Sequence, residues 1–261
     1  MRRTLLILAA ALGLAGAGVG MATAAPGESL LVLTDDGMLS RHDVDRPLLP
    51  RSRVQVTGLG SGERLIGLDT RPANATVYAL STAGRLYTVD HGTGRATPVG
   101  AKIALTARAI GFDVDPVTDQ IRVVTDSGVN LRIRPDTGEL AGTDPNLFYA
   151  ATDVAAGQVP EVAAAGYPGS AAGTVFYGVD SARDTLVTAG SRTGQLRTVG
   201  KLGLDVKESH GFDIKGTASA IAAVQPQGSG AALLVEIDLA TGTGRPLVPL
   251  AGRPVGLTYL P

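Results

Sequence analysis

Short apolar runs bounded by glycine, proline, asparagine and aspartate recur along the chain, and five of them share a motif. Each is a small strand built around glycine, at Gly67 (LIGLD), Gly111 (AIGFD), Gly166 (AAGYP), Gly211 (HGFDI) and Gly256 (PVGLT). Successive glycines stand 44, 55, 45 and 45 residues apart. A repeat of that length in an all-β pattern predicts propeller blades, each a four-stranded sheet.

Every unit reads alike. The first strand carries the glycine: Arg64 to Asp69, Ala109 to Asp113, Val162 to Tyr167, Gly211 to Ile214 and Val255 to Tyr259. A turn follows, often with proline, as at Arg71-Pro72-Ala73-Asn74 and Asp115-Pro116-Val117-Thr118-Asp119. The second strand is alternating or wholly apolar, as in Val77 to Leu80, Ile121 to Val124, Val175 to Tyr177 and Ile221 to Val224. The third spans Leu86 to Asp90, Asn130 to Arg134 and Leu233 to Asp238. Threonine-glycine turns at Thr93-Gly94, Thr137-Gly138, Thr193-Gly194 and Thr241-Gly242 then lead into a weak fourth strand. Glycine there supplies the positive φ of a tight hairpin.

The fifth unit has only its first strand, Val255 to Tyr259. The three it lacks lie near the other end, at Leu30 to Leu33, Met38 to His42 and Arg53 to Val56. The pattern therefore predicts an all-β, five-bladed β-propeller whose last blade is shared between the termini, which removes free sheet edges. The longest step holds extra residues around Asp144 to Pro160, with Phe148, Tyr149 and Asp153. That stretch reads either as a functional loop on a rigid scaffold or as an insertion packed down by its aromatics.

Residues 1–24 read as a signal peptide: Met1-Arg2-Arg3, an apolar run from Leu5 to Val19, and Ala22-Thr23-Ala24 at the cleavage positions. The run is too short and too glycine-rich for a lasting membrane span. The arginine pair fits Sec export and leaves twin-arginine export open. Residues 25–261 then form one domain, secreted and extracellular, with no membrane span. Net charge is −1 and no basic run occurs, which argues against a nucleic-acid partner. There is no cysteine, so disulfides, thiolate chemistry and cysteine-based zinc sites are excluded.

The stretch Gly111-Phe112-Asp113-Val114-Asp115-Pro116, followed by Ile121 to Val124, Asn130-Leu131-Arg132 and Pro135-Asp136-Thr137-Gly138, resembles the signature of the bacterial domain of unknown function 4394. Gly67-Leu68-Asp69 with Arg71-Pro72, Leu86 to Val89, Gly211 to Ile214 and Asp238 to Gly242 extend the resemblance over nearly the whole exported part. The family usually has asparagine where Asp115 stands and arginine where Gln120 stands. The resemblance implies a secreted, propeller-like protein and assigns no activity.

Two polar constellations carry candidate chemistry. In the second unit Asp113, Arg122, Asn130 and Arg132 fall on one face of adjacent strands, since side chains alternate along a strand. They read either as a structural network fixing blade register or as a site for an anion or small polar ligand held by arginine forks. Asp69, Asp113 and Asp213 occupy equivalent repeat positions near the expected axis. Three carboxylates there can serve the blades, hold a metal such as calcium, or act as acid and base in sugar cleavage. Asp35-Asp36-Gly37 and Asp126-Ser127-Gly128 resemble calcium-loop fragments but lack the later ligands and read as hairpin turns.

His42, His91 and His210 have no partner at metal spacing, although His210 sits beside the axial Gly211. No Gly-x-Ser-x-Gly elbow occurs, and the Gly-x-Gly pieces at Gly92, Gly228 and Gly242 open no helix. Tryptophan, a common platform for sugars, is absent. The expectation is thus a secreted, monomeric binding or interaction module without catalysis or an obligatory cofactor, whose partner is a protein or a small polar ligand. The alternative is a glycosidase-like hydrolase or lyase using the axial aspartates, with calcium as a possible ion.

Overall fold

Among the described residues each of the apolar runs assigned to a blade becomes a strand, and no helix occurs. The structure is a computed structural model that describes residues 28–105, 107, 110–168, 175–190 and 192–261. The leader expected over residues 1–24 lies outside them, as does Ala109, where the second unit was expected to start.

Five sheets, each built on four antiparallel strands, form a closed ring, a five-bladed β-propeller. Blade 1 runs outward from Leu65–Arg71 through Thr76–Ser81 and Leu86–Val89 to Ala96–Val99. Blade 2 runs from Ile110–Asp115 through Gln120–Thr125 and Asn130–Ile133 to Leu140–Asp144. Blade 3 starts at Val162–Gly166 and continues through Val175–Asp180 and Thr185–Gly190 to Gln195–Lys201. Blade 4 has Val206–Lys215, Ser219–Pro226, Ala232–Asp238 and Gly244–Leu250. In blade 5 the last strand, Pro254–Leu260, is innermost and pairs antiparallel with Ser29–Thr34, with Leu257 opposite Val32. Met38–Asp43 and Arg46–Gln55 complete that sheet.

The innermost strand of each blade packs against the innermost strand of the next, all the way round. The repeated glycine makes this approach possible. A Cβ on Gly67 would come 2.9 Å from Phe112 of blade 2, and one on Gly111 would come 2.8 Å from Ala165 of blade 3. A Cβ on Gly166 would come 2.8 Å from Phe212 of blade 4, one on Gly211 2.5 Å from Leu257 N of blade 5, and one on Gly256 3.0 Å from Leu68 N of blade 1. At the first four positions a side chain would force the neighbouring strand to shift, and at Gly256 the fit would be tight. The fivefold echo in the sequence is therefore the imprint of five strands crowding one axis.

Both faces of every sheet are covered, so the core is divided into five layers, each between successive blades. In Ser29–Thr34 every residue is buried. Leu31 and Leu33 pack toward blade 1, while Leu30 and Val32 pack toward blade 4. Two-sided burial explains why inner strands read as continuous apolar runs. The outermost strands face solvent, as Arg46–Gln55 does over most of its length.

The extra stretch after Asp144 lies at the rim. Phe148–Tyr149 adds a fifth strand to blade 3, parallel to Gln195–Lys201. Asp153 accepts hydrogen bonds from Thr198 N at 2.7 Å and Thr198 Oγ1 at 2.8 Å, and Tyr149 is buried with its hydroxyl on Asp180. It thus caps a sheet edge, away from the axis.

Candidate functional site

Alternation along a strand places the aspartate of each Gly-x-Asp motif on the same face as the glycine, pointing at the next blade. The inner strand is the edge of its sheet, so every second backbone N–H lacks a ladder partner. The aspartates supply the missing acceptors. Asp69 Oδ2 accepts from Val114 N at 2.8 Å, Asp113 Oδ1 from Tyr167 N at 3.1 Å, and Asp213 Oδ2 from Tyr259 N at 2.7 Å. In blade 5 the equivalent residue is Thr258, whose hydroxyl accepts from Thr70 N at 3.1 Å. In blade 3 the equivalent residue is Pro168. Four of the five joints are therefore clasped by one side chain each.

These side chains converge at the axis. Asp69, Asp113 and Asp213 each present an oxygen, and the three oxygens lie within 4.8 Å of one another. The residues are 5%, 4% and 9% exposed. Thr258 Oγ1 sits 2.8 Å from Asp69 Oδ1 and 3.0 Å from Asp213 Oδ2. One hydroxyl proton serves one of these oxygens at a time, so the other contact is satisfied when a carboxyl carries its own proton.

Electrostatics points the same way. Burial, reinforced by the nearby Asp213, pushes Asp69 up to about 8. Burial and the charges of Asp69 and Asp213 hold Asp113 well above the usual carboxylate range. Asp213 is raised by burial against the pull of its bonds to Tyr259 and Thr258. Three desolvated acids at such range cannot all ionise without a counter-charge.

The cluster is the floor of a cavity of about 290 Å³ that opens at one mouth of the ring. Tyr167, Tyr259, Pro72, Pro116, Ile214 and Leu260 contribute its walls, and Arg71 and Lys215 stand at its edge. Arg71 bonds Asp119 and Asp136 of blade 2, and Lys215 Nζ lies 2.6 Å from Glu28 and 5.6 Å from the Tyr259 ring centre. Below the floor, Ile110, Phe112, Ala165, Phe212 and Val255 close an apolar throat with no room for a water molecule. The cavity is a cup and not a channel.

The second predicted constellation lies beside this cup, joined to it by one residue. Arg122 is buried and donates from Nη1 to Asn130 Oδ1 at 2.5 Å and to Asp144 Oδ2 at 3.1 Å. Its Nε donates to the Tyr167 hydroxyl, and its guanidinium lies 5.4 Å from the Phe176 ring centre. Arg132 forks onto Asp144 at 2.8 and 2.9 Å and reaches Gln120 Oε1 at 2.9 Å. Asp144 thereby falls below the usual carboxylate range, the two arginines outweighing its burial. Arg122, Asn130 and Arg132 do not line the cup. Tyr167 connects the two groups, with its N–H on Asp113 and its hydroxyl on Arg122.

Sequence reasoning placed the three aspartates near the axis and missed Thr258, Tyr167 and Asp144. Thr258 was legible as the Asp-equivalent position of the fifth repeat, 45 residues after Asp213. Asp144 ends a fourth strand that the sequence leaves indistinct, and only the pairing of Asn130 with Asp144 reveals it. The calcium-like turns act as turns: Asp36 Oδ1 bonds Thr34 Oγ1 at 2.5 Å and Met38 N at 3.3 Å. His42 bonds Pro47 O and Ser40 Oγ. His210 pairs with Glu208 at 3.2 Å, on the far side of the throat from the aspartates.

A family model described as a domain of unknown function (DUF4394) matches residues 38–256. A search of curated proteins returns no match. Among solved structures, a chain of the nidogen/laminin complex matches 90% of this chain and 99% of its own length, at 12% identity and a TM-score of 0.56. A chain of Kuenenia stuttgartiensis hydrazine synthase is matched over 70% of this chain and 49% of its own, at 13% identity and a TM-score of 0.43. U3-55K gives 73% and 53%, at 9% identity and a TM-score of 0.46. The likeness to the nidogen/laminin chain is one of fold.

Proposed function

The chain belongs to the DUF4394 family of domains of unknown function, and on that premise we propose that it is an exported, non-catalytic binding module whose ligand enters the axial cup. The observation that carries this reading is the cup itself: a cavity of about 290 Å³ on a rigid ring, closed below, with three buried carboxylates at its floor. Concave, largely apolar pockets with a few convergent polar groups are the usual form of small-ligand sites. Export rests on the leader-like residues 1–24. Among the described residues, no helix is long and apolar enough to cross a membrane.

The glycosidase-like alternative fits the geometry less well. The axial site gathers three acids and not a pair, all of them buried and bonded within the ring. Each aspartate also fastens a blade joint or a neighbouring hydroxyl, a duty poorly suited to a group that must shuttle protons each turnover.

The test is a thermal-shift panel of small polar ligands, sugars, phosphate and calcium, run on the protein and on Pro72→Trp. Pro72 is exposed at the cup's edge, so the larger side chain obstructs entry without touching the floor. A ligand that raises the melting temperature of the parent but not of Pro72→Trp supports the reading. Reproducible turnover of any substrate that disappears in Asp113→Asn would sink it in favour of an enzyme.

A further inference from the structure

The chemistry of the cup is more specific than its shape. Its floor offers oxygen acceptors, and its walls are aromatic and aliphatic. An alkylammonium group carries one positive charge and three N–H donors. With hydrogen bonds of about 2.8–2.9 Å at tetrahedral angles, three acceptors around such a nitrogen stand about 4.7 Å apart. Asp69, Asp113 and Asp213 present three oxygens within 4.8 Å of one another. Calcium takes six to eight oxygens, and here one oxygen of each aspartate is already engaged by a backbone N–H of the next blade. A hydrated metal ion also has no use for the Tyr167, Tyr259, Pro72, Pro116 and Leu260 surfaces that surround the route to the floor. Those surfaces suit a hydrocarbon stem.

Resting on the binding reading above, we infer that the cup takes a primary ammonium group on an apolar stem, with the –NH₃⁺ seated among Asp69, Asp113 and Asp213 and the stem between Tyr167 and Tyr259. The cation supplies the counter-charge that three desolvated carboxyls require, and its three donors add to the bonds these carboxyls already accept from Val114, Tyr167, Tyr259 and Ile214 N–H and from Thr258. Thr258, between Asp69 and Asp213, keeps two of the acceptors in place. Arg71 and Lys215 at the edge are each bound to carboxylates and so do not compete for the floor.

The experiment is calorimetric titration of the full chain with n-hexylammonium chloride, 1-hexanol and calcium chloride. It is repeated on Asp213→Asn and Pro72→Trp, with circular dichroism melts to show that each variant folds. Hexylammonium is expected to bind at least about tenfold more tightly than hexanol. It should lose about tenfold or more in each variant. Asp213→Asn removes floor charge, and Pro72→Trp keeps the test valid should that variant fail to fold. Equal binding of hexylammonium and hexanol, or binding unchanged in both variants, overturns the assignment. Calcium binding that depends on Asp213, with no response to hexylammonium, overturns the ligand class but leaves the cup as a binding site. No heat with any of the three compounds also overturns the ammonium assignment, while the ligand panel on Pro72→Trp decides the binding reading separately.

Discussion

At the residue scale, Asp69 does two things at once: it clasps a blade joint and it contributes an acid that burial drives upward. It titrates near 8 in the folded chain, against about 3.9 for an unperturbed aspartate. Between those values the folded chain holds a proton that the unfolded chain has lost. Stability therefore falls as pH rises through the interval and levels off above it. Asp69→Asn should remove this contribution, since an amide can accept from Val114 N and donate to Thr258, and should also ease the upward push on Asp113 by withdrawing a neighbouring charge. Relative to the parent, the variant should gain on the order of a few kcal/mol between pH 5 and pH 8. His42 and His210, both lowered by burial, act equally in the two proteins and cancel in the comparison. Urea unfolding with EDTA at the two pH values checks this, and parallel profiles would mean that Asp69 is ionised in the fold. Arg122 poses the opposite case, a buried cation with every neighbour in place. Breaking a buried ion pair costs about 3–5 kcal/mol. Arg122→Met should fall near 3, because Asp144 retains Arg132, and denaturant unfolding measures it.

At the element scale, the inner strand is the decisive unit. Its glycine admits the neighbouring strand, and its aspartate, two residues on, satisfies that neighbour's free N–H. Gly111→Ala would drive a Cβ to 2.7 Å from Val124 and 2.8 Å from Ala165. Both lie in the packed interior, so the strands must part. The expected loss is about 1–3 kcal/mol, read as a lowered midpoint in urea at unchanged slope. An alanine at Gly230, which has no positive φ and nothing within 4 Å, should cost less and serves as the control. The stretch from Asp144 to Pro160 belongs to the same scale. It reads in sequence as a possible functional loop, but its Phe148–Tyr149 strand covers the outer edge of blade 3.

At the scale of the whole molecule, closure joins residues from opposite ends of the chain. The pairing of Pro254–Leu260 with Ser29–Thr34 makes blade 5 one sheet. It also brings Thr258 against Asp69, 189 residues away in sequence. A chain ended at Arg253 would lose the inner strand of blade 5, expose the inner faces of blades 4 and 1, and lose the Thr258 bridge. It should melt at least about 10 °C lower, or without cooperativity, because the closed ring protects otherwise exposed sheet edges. A circular dichroism melt reads the result, and an unchanged midpoint would show that the ring does not depend on this closure.

The sequence by itself determined the number of blades, the strand order within each and the shared fifth blade. These follow from local signals that repeat: the glycine that marks close approach, the apolar run of a strand covered on both faces, and the threonine-glycine turn. It also placed Asp69, Asp113 and Asp213 at one level, because equal steps along a repeat mean equal heights on the axis. Tertiary structure decided what those residues meet. That Asp113 clasps Tyr167, that Arg122 leans on Asp144, and that Thr258 joins two acids depends on contacts between strands far apart in sequence, in registers set by packing. Periodicity reports which face a side chain takes. Only the closed ring fixes how near three such faces come, and the proximity of three carboxyls in a dry cup is what gives the axial residues their chemistry.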